Sequence, residues 1–174
     1  KIAEKMGASV INHQKNMGYG AAVKSLFNKA KEINCDVLVT FDADGQHDIS
    51  EIKDVIAPII SKKADIVIGS RFLGEGERKI PKYRKFGIKA ITKISSLSHD
   101  LKIKDTQSGF RAYSKKALDE INPTENGMGI STEILIKSSK KDLKIVEVPI
   151  IVNYEGNTST HNPASHGISV ILST

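Results

Sequence analysis

The chain has 174 residues, 39% hydrophobic and 26% charged, with a formal net charge of +6 and 5% aromatic residues, none of them Trp. That is the size and balance of one globular domain with its own core, and it holds no run of roughly 18–20 apolar residues such as a membrane span requires. The excess of cations points to anionic partners, the scarcity of aromatic rings argues for phosphate rather than stacked nucleic-acid bases, and the single Cys35 excludes an internal disulfide.

Residues 1–6 read as the last turn of a helix closed by Gly7, and residues 8–11 as a short strand. A chain that opens in mid-helix and not on Met is expected to be a fragment, with at least one further strand upstream. Asn16-Met17-Gly18-Tyr19-Gly20-Ala21-Ala22 then opens a helix whose apolar positions Ala22, Val23, Leu26, Phe27 and Ala30 recur at helical spacing. Gly18 and Gly20 leave two readings open, backbone amides approaching a phosphate at the helix start or a tight turn with close packing. Cys35 reads as a small buried or half-buried thiol.

Val37-Leu38-Val39-Thr40-Phe41-Asp42-Ala43-Asp44-Gly45-Gln46-His47 is the most informative stretch. Five strand-forming residues run into two carboxylates one residue apart, the pattern of a buried strand that ends at a polar site. Open α/β sheets place their chemistry outside the carboxyl ends of strands, and two acids held together there repel unless a cation lies between them. Hard oxygen donors beside an amide suit Mg²⁺ or Mn²⁺, which use few protein carboxylates and share other positions with phosphate and water. Downstream, Asp48 with Glu51 reads as a capping pair for a helix through Ile52, Val55, Ile56 and Ile59, with Pro58 an irregularity late in it.

Asp65-Ile66-Val67-Ile68-Gly69-Ser70-Arg71 is a second buried strand. The alternation of helix and strand implies parallel strands, which brings Arg71 to the same edge as Asp42 and Asp44, either as a planar fork for phosphate or as a salt bridge to those acids. A Gly- and charge-rich loop over 73–81 precedes a helix over 82–98, in which Lys82, Lys85, Lys89 and Lys93 share one face. Such a helix either lies on an anionic membrane surface or packs on the core behind a solvated lysine face. In Asp105-Thr106-Gln107-Ser108-Gly109-Phe110-Arg111, an acid and an arginine six apart can face one crevice. Glu133 stands in the first turn of a helix, as a dipole-favoured charge or a site acid. Residues 143–152 are strand-like, and His161 and His166 form too thin a donor set for zinc.

Taken in order, Asn16-x-Gly18-x-Gly20-Ala21-Ala22, Asp42-Ala43-Asp44-x-Gln46-His47, Gly69-Ser70-Arg71, Ser108-Gly109-Phe110-Arg111 and Glu147-Val148-Pro149-Ile150 resemble the motif set of family 2 glycosyltransferases. The likeness is greatest to polyprenol-phosphate (dolichol-phosphate) mannosyl- and glucosyltransferases. The resemblance implies an α/β fold of the GT-A type, a Rossmann-like mixed and mostly parallel sheet with helices on both faces, lacking here its first strand or strands. It implies a single catalytic domain over residues 1–174. Asp42, Ala43 and Asp44 resemble the metal and diphosphate motif, with Gln46 a further metal or diphosphate contact. Arg71 and Arg84 resemble two phosphate-binding arginines, and Asp105 and Arg111 lie in what resembles the acceptor side.

The implied activity is inverting, metal-dependent transfer of a hexose from a nucleotide-diphosphate sugar to a polyprenyl phosphate, with a saccharide acceptor left open. The implied setting is cytoplasmic and peripheral on the inner face of the cell membrane, without nucleic acid. An acceptor phosphate is already ionised at neutral pH, so no strong general base is required, and Asp105 is expected to orient it. Two departures matter: the opening strands that hold base and ribose are absent, and Gly45 stands where many members have a larger apolar residue. The 174 residues alone are therefore expected to bind donor poorly and turn over little. A haloacid-dehalogenase-type phosphatase also opens its site with strand-Asp-x-Asp-Gly, but continues with Thr where Gln46 stands. A basic anion-binding module accounts for the charge but not for the acids.

Overall fold

Each apolar run meets its turn signal in the computed structural model, which describes residues 2–74, 77, 80, 85 and 103–154. The order is α1 (Ile2–Lys5), α2 (Tyr19–Glu32), β1 (Val37–Thr40), a 3-10 turn (Ile49–Glu51) running straight into α3 (Ile52–Ile60), β2 (Ile66–Ser70), β3 (Arg111–Ser114), α4 (Lys115–Glu120), α5 (Ile130–Ser139) and β4 (Ile145–Pro149). The helices stop where the sequence offers a left-handed residue. Asn34, Lys62 and Asp142 take positive φ just beyond α2, α3 and α5, and the next amides fold back onto helix carbonyls, as in Cys35 N to Ala30 O and Leu143 N to Ser138 O. Gly7 does the same after α1.

The four strands are ordered β1-β3-β2-β4. β3 runs antiparallel to both β1 and β2, while β2 and β4 are parallel, in register from Ile66 opposite Ile145 to Ser70 opposite Pro149. Three strands thus point one way and β3 against them, the mixed sheet expected. Side chains alternate across it. On one face Leu38, Ile66, Tyr113 and Ile145 pack with Val23 and Phe27 of α2, Ala117 and Leu118 of α4, and Ile130 and Ile134 of α5. On the other, Val39, Val67, Ala112 and Val148 pack on Val55 and Ile59 of α3. The Phe27 and Tyr113 rings meet edge to face at 4.8 Å, a favourable quadrupole arrangement.

Four expectations need correction. β1 is only half-buried where a buried strand was expected, because it is the edge strand of the described sheet, whereas every residue of β2 is buried. The sheet-facing side of α2 is Gly20, Val23, Phe27 and Ala30; Ala22 and Leu26 point away, since one helix cannot turn both apolar stripes to the same sheet. Residues 8–11 form no strand among the described residues, and Val10 and Ile11 are exposed. β4 is shorter than the 143–152 run because Leu143 is spent closing α5. The helix expected over 82–98, Arg84, His161 and His166 lie outside the described residues, apart from Lys85 alone.

Candidate active site

Because β1 and β2 run together and β3 opposes them, the carboxyl ends of β1 and β2 and the entry to β3 lie at one edge. Asp42 and Asp44 follow β1, Arg71 follows β2, and Ser108 and Gly109 precede β3. The edge is built around Gly109. A Cβ placed there would stand 3.1 Å from Asp42 Oδ2 and 3.2 Å from Tyr19 Oη, so the missing side chain is the seat of the Asp42 carboxylate. Thr40 Oγ1 donates to Gly109 O at 2.9 Å and fixes that seat to β1.

Asp42 as a residue is exposed, yet loss of water around its carboxylate raises its pKa, with Asp44 adding to the rise while His47 and Arg71 oppose it. Asp44 Oδ1 accepts from Gln46 N at 3.0 Å, an Asx turn that holds the segment compact, and Gln46 O accepts from Asn153 N at 2.9 Å. His47 packs edge-on against Phe110, ring centres 5.1 Å apart. Its Nδ1 is buried with no hydrogen-bond partner among the described residues, and desolvation lowers its pKa against the pull of Asp42 and Asp44. Tyr19, at the start of α2, is hydrogen-bonded to Ser131, and its hydroxyl is pushed up to about 12, first by burial and then by Asp42.

Arg71 reaches the edge but turns its fork to Asp105, not to Asp42 and Asp44. Asp105 is fully buried; its Oδ2 accepts from Arg71 N at 3.1 Å and Nε at 2.7 Å, and its Oδ1 from Nη2 at 2.7 Å. Burial pulls the Arg71 pKa down, but the Asp105 charge and hydrogen bonds outweigh it and hold the guanidinium above its ordinary value. The acid expected to face an acceptor is thus occupied in orienting an arginine. Arg111, expected in the same acceptor region, is 2% exposed and donates to Ser108 O at 2.8 Å, Ser131 O at 3.0 Å and Thr106 O at 2.6 Å. It ties the loop before β3 to the start of α5, and its burial keeps it from a substrate.

The two readings of the glycines are resolved in favour of packing. A Cβ on Gly18 would stand 2.5 Å from Asn126 O, and one on Gly20 2.5 Å from Glu125 O and 2.8 Å from Gly127 O; Ala21 N donates to Asn126 O. The motif docks residues 125–127 against the head of α2. Glu133 braces that loop by accepting from the amides of Thr124 and Glu125 and from Lys137. Burial raises its pKa, but these donors pull it down to about 2, so it is a structural charge. Asp48 accepts from Ser50 N as the expected cap, whereas Glu51 reaches Ile151 N at 2.8 Å instead of closing a capping box. Cys35 is half-buried as expected and donates to Val37 O.

Tyr19 and Glu147 were missed as contributors to the edge. Both carried a signal, Tyr19 lying between the two motif glycines and Glu147 opening the Glu147-Val148-Pro149-Ile150 motif, but neither was given a role of its own.

Asp42 and Asp44 with Gln46 make a sparse set of hard oxygen donors, and no cluster of three His, Cys, Asp or Glu among the described residues completes a cage. A divalent cation with most positions left for phosphate and water fits that set.

A mixed α/β sheet with adjacent carboxylates and a fixed arginine at one edge is an arrangement of the GT-A type. The solved structures agree: glucosyl-3-phosphoglycerate synthase from Mycobacterium tuberculosis, crystallised with Mn²⁺ and UDP-glucose, superposes with a TM-score of 0.71 over 98% of this chain and 60% of that one, at 18% identity. The family model for glycosyl transferase family 2 matches residues 1–122, and the chain belongs to that family. A dolichyl-phosphate N-acetylglucosaminyltransferase of Methanococcus voltae is 40% identical over 147 residues, 83% of this chain and 59% of that relative. A dolichol-phosphate mannosyltransferase of Pyrococcus furiosus is 36% identical over 152 residues, 86% of this chain and 42% of that relative. The chain therefore spans about half the length of these enzymes. Family membership removes the phosphatase alternative.

Proposed function

We propose that this chain is the metal- and diphosphate-binding part of an inverting hexosyltransferase that moves a sugar from a nucleoside diphosphate to a polyprenyl phosphate. The observation that carries the reading is the seating of Asp42 over Gly109 beside Asp44, two acids at a sheet edge whose mutual repulsion a cation between them would relieve. Asp42, Asp44 and Gln46 would hold Mg²⁺ or Mn²⁺, and that ion would offset charge growing on the departing diphosphate. Arg71 adds a fixed positive charge at the same edge, already oriented and so free of reorganisation cost when charge develops. Arg84 is assigned a second contact on the strength of the resemblance.

A phosphate acceptor is supported by the names of the relatives and by the state of Asp105. With both oxygens on Arg71 and no exposure, Asp105 has no lone pair placed to take a proton from a sugar hydroxyl, while a phosphate monoester needs none taken. Attack opposite the leaving diphosphate inverts the anomeric centre. Among the described residues no helix is long and apolar enough to cross a membrane. The net charge of +6 suits peripheral attachment to an anionic, cytoplasm-facing leaflet, where a lipid phosphate is presented. The test is to join to this chain the upstream nucleotide-holding strands that the family resemblance implies, and to incubate the product with radiolabelled UDP- or GDP-sugars, Mn²⁺ and a polyprenyl phosphate. A chloroform-soluble glycolipid, abolished by Asp44→Asn, is expected; label on a saccharide only, or full activity in Asp44→Asn, would overturn the reading.

A further inference from the structure

Glu147 sits in the middle of β4, opposite Ile68 of the fully buried β2, between Val146 and Val148, which pack on the α3 side of the sheet. A carboxylate on so well-held a strand has a specific use: its Oε2 accepts from Lys104 N at 2.9 Å and its Oε1 from Asp105 N at 3.0 Å. Two successive amides are caught by one side chain. Gln in its place would turn an NH₂ toward an N–H, and Asp is one methylene short.

The next link starts from the residue so held. Asp105 carries no exposed surface and binds Arg71 at three points, the backbone N and the side-chain Nε and Nη2. Tyr154 favours the charged form of the same guanidinium. The Arg71 side chain remains 18% exposed, and its charge is felt at both Asp42 and His47. A backbone tie and a buried carboxylate thus form one continuous chain of hydrogen bonds from the sheet to the Arg71 guanidinium.

We infer that Glu147 is a positioning residue: by clamping the backbone of Lys104 and Asp105 to β4 it fixes the carboxylate that orients Arg71. The relay stands on these contacts alone; only the identity of what the oriented arginine meets, a diphosphate, rests on the proposed function. Glu147 touches no reacting atom in this account. Its effect passes through Arg71, and so it must be visible on Arg71 itself.

The test is proton exchange by NMR on the ¹⁵N-labelled protein, read at the Lys104 and Asp105 amides and at the Arg71 Nε–H. Losing one of these hydrogen bonds, worth about 1 kcal/mol, should speed exchange about five- to tenfold in Glu147→Gln at all three positions, with the α2 amides unchanged. Faster exchange at Lys104 and Asp105 with an unaltered Arg71 Nε–H would overturn the relay. If Glu147→Gln does not fold, a temperature series on the unsubstituted protein decides: a common opening of the three groups below global unfolding supports the relay, and an Arg71 Nε–H released only on global unfolding refutes it. A parallel Mn²⁺–pyrophosphate titration separates the two ideas. An intact relay in a protein with no affinity for Mn²⁺–pyrophosphate leaves the inference standing and removes the proposed function.

Discussion

Replacing Asp42 with Asn should stabilise the metal-free protein while destroying its response to metal. The structure supplies both halves. Loss of water over Gly109 and the neighbouring Asp44 disfavour the Asp42 charge, and His47 and Arg71 only partly offset them. Solvent screens the exposed side of the group, so about 0.5–1 kcal/mol is recovered by the isosteric amide, a rise of about 1–4 °C in Tm for a domain of this size. The sign follows from the raised pKa: below the ordinary value of 3.8 the carboxyl is protonated folded and unfolded alike, so the two proteins should agree there. The gap should open as pH rises through the folded-state pKa and persist at neutrality. Mn²⁺ at 100 times its Kd should add about 2.7 kcal/mol to the unsubstituted protein and nothing to Asp42→Asn. Differential scanning calorimetry with and without MnCl₂ reads both effects. A lower Tm for metal-free Asp42→Asn, or an undiminished Mn²⁺ shift, would refute the reasoning.

Three further outcomes follow from the same contacts. Gly20→Ala drives a methyl into the Glu125 and Gly127 carbonyls, 2.5 and 2.8 Å away, and should cost about 1–3 kcal/mol in urea unfolding. Arg111→Met leaves three buried carbonyls without their donor; a loss of at least about 3 kcal/mol is expected, measured by thermal unfolding, with no rescue by added diphosphate. Glu133→Gln should lower Tm at neutral pH but not at pH 2, since a carboxylate depressed from 4.5 to about 2 stabilises the fold above 4.5 and loses that contribution as pH falls toward 2.

The place of Asp42 and Asp44 at the carboxyl end of β1 was legible in the sequence because a strand-forming run ends directly in acid, Gly and amide. Arg71 was placed at the right edge by strand direction alone, since successive parallel strands emerge together. Its partner was not legible: Asp105 lies 34 residues away in sequence, and pairing at that range is decided by which loop the sheet brings alongside. Arg111 misled for a related reason. An arginine near a glycine turn looks the same in sequence whether it faces solvent or is buried under carbonyls. Gly18 and Gly20 show the ambiguity of glycine itself, because room for a phosphate and room for another stretch of backbone demand the same absent side chain.

The account stands or falls on a cation at the β1 edge, and crystals of the protein grown with MnCl₂ and UDP test it directly through manganese anomalous scattering. One peak is expected within coordination distance of carboxylate oxygens from Asp42 or Asp44, with diphosphate oxygens completing the shell and Arg71 still held by Asp105. A map with no peak there, or with manganese bound elsewhere while Asp42 stays seated on Gly109, would contradict it.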